Sequence, residues 1–342
     1  MNDSCNLKSH IHPTMRVVFF GTPQFAVPTL EALAGDPHIE IVGIVTQPDR
    51  PSGRGQKLTP PPVKHIAEVL HLGPIFQPLK VRTDEAFLNQ LDALKADFFV
   101  TIAFGQILPQ RLLDMPRLGT VNVHASLLPK LRGANPIQWA ILNGLSETGL
   151  TTMLTDAGVD TGAMLLKTTV SIDPSENAQM LAERLATLGG PLLLQTLSGL
   201  ENGSLKPLPQ EDTLASHAPK LSKQEAWLDW SQPAEVLLRK IRGQQPWPGT
   251  QSLFDNQPLK IFEAHLLPSD QPYEAAMAGE LLEASKFGVM IACGATGKER
   301  LMLTTVQPAG KKPMPASDWL RGLGQPLQAS RRCLSAPDLA ET

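Results

Sequence analysis

Cysteine is nearly absent from this sequence, and Cys5, Cys293 and Cys333 are odd in number, far apart and in no metal-ligand spacing. A disulfide framework is thereby excluded, and reduced thiols in a cytoplasmic protein are expected. No apolar run approaches the roughly 18 residues of a membrane-spanning helix, so no membrane span is expected. Residues 1–14 lack the apolar stretch of a secretory signal and precede a second methionine, Met15, so they read as a flexible tail. There is no excess of positive charge either: the formal net charge is −3. A polyanionic partner would need a local basic surface, because the overall field would not hold it. Histidines do not cluster. His65 and His71 are six apart on an expected helix and so off a common face, while His10 and His12 lie in the tail, and no metal site is expected. The first strand runs into Gly21-Thr-Pro-Gln-Phe-Ala26, not Gly-x-Gly-x-x-Gly, which argues against a nucleotide-dependent oxidoreductase. No Walker-type Gly-Lys-Ser/Thr sequence, internal repeat or low-complexity block is found.

What is present suits two folded domains. The chain has 342 residues, 42% apolar and 18% charged, more than one ordinary core needs. From Met15, short apolar runs at Val17 to Phe20, Ile39 to Thr46, Phe98 to Ala103 and Thr120 to His124 alternate with helical stretches. These are Pro23 to Ala34, Pro62 to Leu72, Asp84 to Leu94 (with Thr83 as N-cap) and Pro136 to Asn143. This alternation predicts an α/β domain with a doubly wound, mostly parallel sheet over residues 15–205. Thr151 to Leu154 and Met164 to Val170 read as further strands around the turn Asp156 to Gly162. Asp173, Pro174 and Glu176 look like a helix start, and Gly189-Gly190-Pro191 is expected to kink or break that helix. Periodicity disappears over 206–225, where Pro207, Pro209 and Pro219 recur, and a linker is expected. Five short strands then follow, Ser252 to Phe254, Leu259 to Leu267, Glu280 to Leu282, Val289 to Ala292 and Leu301 to Val306. They predict a small OB-like β-barrel over 226–335.

The chemistry concentrates in Asn122-Val-His124-Ala-Ser-Leu-Leu-Pro129-Lys-Leu-Arg132-Gly133-Ala-Asn-Pro136. Two apart on a strand, Asn122 and His124 project from one face, at the strand end where a doubly wound sheet opens its ligand crevice. An amide donor beside a charged imidazole suits acyl transfer, in which an oxygen gains negative charge. A carboxylate near the imidazole would favour its charged state, and Asp160 is the best candidate. Taken singly, such a histidine could be structural and Asp160 could simply cap its glycine turn; their shared setting raises the catalytic alternative.

At this point a resemblance is plain. Val17 to Ala26, Thr101 to Pro109 and Asn122 to Pro136 resemble the opening, middle strand and signature of the folate-dependent formyltransferases. Within that superfamily, Gln47-Pro-Asp-Arg50-Pro-Ser-Gly-Arg54-Gly-Gln-Lys57, Ala218 to Lys223, Trp230 and Pro246-Trp-Pro248 are similar to the methionyl-tRNA formyltransferases, over about Met15 to Met314. The resemblance implies transfer of the formyl group of 10-formyltetrahydrofolate to the amino group of methionyl initiator tRNA, without a metal. It puts the family's catalytic asparagine and histidine on Asn122 and His124, and its aspartate on Asp160 rather than Asp156. Folate contacts fall on Ser126, Leu127, Leu128 and Pro129. A mobile basic loop with Arg50, Arg54, Lys57 and Lys64 is expected to track phosphates, with a second basic set at Lys298, Arg300, Lys311 and Lys312. A monomer is expected. Formyltransferases acting on an amino sugar or a purine precursor, and a non-catalytic tRNA-binding module, are the competing possibilities.

Overall fold

The computed structural model describes residues 14–53, 55–268, 273–323 and 333–334. Its strands are β1 (Met15–Gly21), β2 (Ile39–Val45), β3 (Arg50–Ser52), β4 (Lys57–Thr59), β5 (Ile75–Phe76), β6 (Phe98–Ile102), β7 (Gly119–His124), β8 (Arg132–Gly133), β9 (Glu147–Leu154), β10 (Met164–Ser171), β11 (His217–Ala218), β12 (Thr250–Phe254), β13 (Gln257–Leu266), β14 (Leu281–Ser285), β15 (Gly288–Cys293), β16 (Glu299–Pro308) and β17 (Met314–Pro315). The helices are α1 (Val27–Gly35), α2 (Pro62–Val69), α3 (Glu85–Ala93), α4 (Gln110–Leu113), α5 (Pro136–Leu142), α6 (Ala178–Glu201), α7 (Ala234–Gly243) and α8 (Ala316–Arg321). Two compact units result, one of residues 1–132, 149–169 and 183–216, the other of 133–148, 170–182 and 217–342.

The first unit is built on a seven-stranded sheet in the order β10-β9-β7-β6-β1-β2-β5. Pairing is parallel from β7 through β5, and antiparallel between β7 and β9. Strands β1, β2 and β6 are buried along nearly their whole length, which is why they read as continuous apolar runs. On one face Val18, Phe20, Val42 and Phe99 pack with Phe87, Leu88 and Leu91 of α3 and Leu112 of α4. Strand order reverses between β1 and β6, so the ligand crevice of such a sheet opens beyond the carboxyl ends of β1, β6 and β7.

Several expected details differ. Asp84, not Thr83, caps α3: its carboxylate accepts the Phe87 N–H at 3.0 Å. Asp173 to Glu176 forms a turn closed on the Asp173 carboxylate, and α6 starts only at Ala178, with Asn177 accepting the Met180 N–H. Nor does α6 break at Pro191. The proline is on an exposed part of the helix, while Leu181, Leu185, Leu192, Leu193 and Leu197 stay buried. The two glycines serve close approach to α1 instead. A Cβ on Gly190 would come within 2.4 Å of the Ala32 Cβ, and one on Gly189 within 2.5 Å of Thr29 Oγ1. The short strand β5 has too few residues to show a pattern in the sequence.

In the second unit the path β12-β13-β16-β15-β14, with β17 on β16, forms an antiparallel sheet. All five expected strands are present. They enclose a core of Leu259, Ile261, Val289, Ile291, Leu301 and Leu303, joined by Leu237 and Ile241 of α7 and Trp319 and Leu320 of α8. Cys293 and Cys333 are free thiols in this interior, and burial pushes each up to about 12.

Candidate active site

Strand β7 delivers two polar side chains to the carboxyl end of the first unit's sheet. Asn122 lies directly opposite Thr101 of β6, and the Thr101 hydroxyl donates to Asn122 Oδ1 at 2.8 Å. That bond fixes the amide's orientation and leaves Nδ2 as the donor turned toward Asp160, 3.5 Å from Oδ1. His124, two residues on and 6% exposed, approaches the same oxygen with Nδ1 at 3.5 Å. Its other nitrogen, Nε2, is 2.9 Å from the Leu131 carbonyl. A single carboxylate oxygen thus meets both an amide and an imidazole that arrive from one strand face. Asp160 comes from the turn between β9 and β10, in the left-handed region at φ 55°. Asp156 is turned to local work: its carboxylate accepts the Gly158 N–H and the Thr161 hydroxyl.

The segment after β7 is pinned beside this cluster. Thr151 of β9 donates to the Ser126 carbonyl at 2.7 Å and accepts the Leu128 N–H at 3.1 Å. The Ser126 hydroxyl is spent on the Lys130 carbonyl, and Leu128 is buried with Met153 and Met164. With the Ser126 carbonyl and the Leu128 N–H engaged, what this segment can offer a ligand is the half-buried Leu127 and Pro129. Lys167 donates to the Leu128 carbonyl at 2.5 Å, and burial holds its ammonium below the ordinary lysine range.

Beyond the carboxyl end of β2 the basic segment is a two-stranded ribbon, β3 paired with β4, rather than the mobile loop expected. Arg50 and Lys57 are exposed on it, whereas Arg54 falls outside the described residues. Lys64, expected alongside them, is already paired. Its ammonium is bound to both oxygens of Asp49 at 2.9 and 2.8 Å and to Gln77 at 3.0 Å. Gln77 in turn donates to Asp49, and these two partners, Gln77 first, hold the Asp49 carboxyl below its ordinary value. This cluster anchors the base of the ribbon.

Two models of protein families match the chain: "Formyl transferase" over residues 15–197 and "Formyl transferase, C-terminal domain" over residues 220–324. The methionyl-tRNA formyltransferase of Citrifermentans bemidjiense is 46% identical over 308 residues, covering 90% of this chain and 93% of that protein. That of Bacillus pumilus is also 46% identical, over 90% of this chain and 94% of its own. The chain belongs to the methionyl-tRNA formyltransferase family. Among solved structures, an N-formyltransferase from Helicobacter canadensis, in complex with folinic acid and dTDP-3-aminofucose, shares the fold with a TM-score of 0.62. It is 19% identical over 85% of this chain and 99% of that one.

Within this formyltransferase the basic residues expected of the second unit do not form one set. Lys298 precedes β16 and Lys311 and Lys312 follow it, so ten strand residues, roughly 30 Å of extended chain, separate them. All three are exposed. Arg300 is buried, donating to the carbonyls of Gly297, Glu299 and Glu274 with its guanidinium over the Tyr273 ring. It is a structural residue. Sequence reasoning also missed Thr101, the Leu131 carbonyl and Gln210, whose amide donates to the Asp160 carbonyl at 2.8 Å. Pairing with Asn122 across neighbouring strands could have suggested Thr101; Gln210, fifty residues from its partner, carries no local signal. Among the described residues no group of three or more His, Cys, Asp or Glu side chains is placed to hold a metal ion, and no helix is long and apolar enough to cross a membrane.

Proposed function

We propose that Asn122, His124 and Asp160 carry out transfer of the formyl group of 10-formyltetrahydrofolate to the amino group of methionyl initiator tRNA. The observation that carries this reading is the convergence of Asn122 Nδ2 and His124 Nδ1 on Asp160 Oδ1, each at 3.5 Å, at the carboxyl end of β7. The folate carrier, when bound, supplies an electrophilic formyl carbon on a nitrogen that can leave. The residues present fit it: the Asn122 amide offers a fixed donor, and the pinned backbone at 126–129 offers a rigid edge beside it.

As the methionyl amine forms its bond to the formyl carbon, negative charge grows on the formyl oxygen. Asn122 Nδ2 and a charged His124 are the donors that meet this charge. His124 lies between two acceptors, the Leu131 carbonyl and the Asp160 carboxylate, and both ring nitrogens donate only when both carry protons. The bond from carbon to the carrier nitrogen then breaks. The proton shed by the amine is taken up by Asp160 and passed on to the departing nitrogen or to water. Arg50, Arg54 and Lys57 meet the acceptor-stem phosphates, with Lys298, Lys311 and Lys312 contributing separate contacts of the second unit. Folate meets the half-buried side chains of Leu127 and Pro129, with Ser126 and Leu128 holding that segment in place.

The test is direct. The protein is mixed with 10-formyltetrahydrofolate and, in parallel, with methionyl initiator tRNA, an elongator methionyl-tRNA and a nucleotide-linked amino sugar. Formylation of the initiator species, at a kcat/KM at least an order of magnitude above the other two, is expected. Preferential formylation of the amino sugar would overturn the assignment.

A further inference from the structure

The stretch between Leu208 and Ser216, which the sequence marks only as part of a linker, is bonded to both sides of the catalytic cluster. Leu208 exchanges backbone hydrogen bonds with Met164, each at 2.8 Å. Two residues on, the Gln210 amide donates to the Asp160 carbonyl and to the Gly162 carbonyl, both at 2.8 Å, and its oxygen accepts Arg132 Nε at 3.0 Å. Arg132 is 5% exposed and donates also to the Asp212 carboxylate at 2.8 Å. At the far end of the stretch, the Ser216 hydroxyl accepts the Leu131 N–H at 2.9 Å and its carbonyl accepts the Arg132 N–H at 2.8 Å.

The two places gripped are those that need it. Leu131 and Asp160 both have positive φ, 60° and 55°, a conformation that side chains bearing a Cβ adopt at a cost and keep only where their surroundings hold them. The Leu131 carbonyl orients His124, and the Asp160 carboxylate meets His124 and Asn122. We infer that residues 208–216 are a positioning clamp for the reaction, in which Gln210 holds the Asp160 turn and Ser216 holds the Leu131 turn. Arg132 ties the two grips together by bonding to Gln210 and to the Ser216 carbonyl. The clamp touches no reacting atom; it fixes where the imidazole and carboxylate meet. This inference rests on the roles proposed above for His124 and Asp160.

Gln210→Glu is the diagnostic change, because it keeps the length and the acceptor for Arg132 but removes both N–H donors. The expected result is a fall in kcat on the order of 10–100-fold, the effect of misplacing a reacting group by about an ångström. KM for methionyl-tRNA and for folate stays within about two-fold, since no substrate contact is lost. A residue that only stabilised the fold would lower the melting temperature and leave kcat per folded molecule intact. Ser216→Ala, which removes a single hydroxyl, is expected to give a smaller loss of the same kind, and it decides the matter if Gln210→Glu does not fold. Asp160→Asn is measured alongside. Collapse of turnover in Asp160→Asn with wild-type kcat in Gln210→Glu and Ser216→Ala overturns the clamp and leaves the catalytic reading standing. Wild-type kcat in Asp160→Asn overturns that reading itself.

Discussion

Replacing His124 by alanine is expected to lower kcat for formyl transfer by roughly 10²–10³-fold, the range associated with loss of one donor to the developing negative charge. Binding of methionyl-tRNA, measured by filter retention, should change by less than about three-fold. The split follows from placement. The imidazole is 6% exposed and engaged on both sides by the protein itself, so it has little surface to give to tRNA, and in the proposed reaction it acts through the charge it presents to the formyl oxygen. Turnover unchanged in this variant would remove His124 from the reaction.

A second large effect belongs to the ribbon. The variant Arg50→Ala/Arg54→Ala/Lys57→Ala should lower kcat/KM for methionyl-tRNA on the order of 10²-fold or more at physiological salt, if each side chain makes one charge-assisted phosphate contact. The slope of log affinity against log salt should flatten by about one per contact, roughly three in all. The dissociation constant for folate should not move, because Arg50 lies on β3 and Lys57 on β4 rather than at the carboxyl end of β7. Lys64→Ala acts differently from the triple change. It frees Asp49 and unseats the base of the ribbon without removing a phosphate contact, since that ammonium is already held by a carboxylate. An unchanged salt slope in the triple variant would remove the ribbon from the tRNA interface.

Much of this arrangement was legible before any coordinates. Buried parallel strands announce themselves as apolar runs, and β1, β2, β6 and β7 each lie within a residue or two of their expected limits. Asn122 and His124 were legible because side-chain alternation along one strand is a local rule. What escaped depends on partners distant in sequence. Pro191 breaks an isolated helix, yet α6 runs through it because leucines on either side are buried in the fold. Lys64 and Arg300 count as free cations in a sequence, and only the folded chain brings Asp49 to one and three carbonyls to the other. The same limit explains Gln210. In a proline-rich stretch with no periodicity it looks like linker, and its purpose becomes visible only when it faces the backbone of Asp160.

Where the developing charge is met is tested most directly by Asn122→Ala in a rapid-quench single-turnover measurement. With enzyme, formylated folate and methionyl-tRNA all saturating, the rate constant for appearance of formylmethionyl-tRNA should fall by roughly 10²–10³-fold, as for removal of one donor from an oxyanion site. Both dissociation constants should stay near the wild-type values. A single-turnover rate equal to that of the wild type would contradict the account.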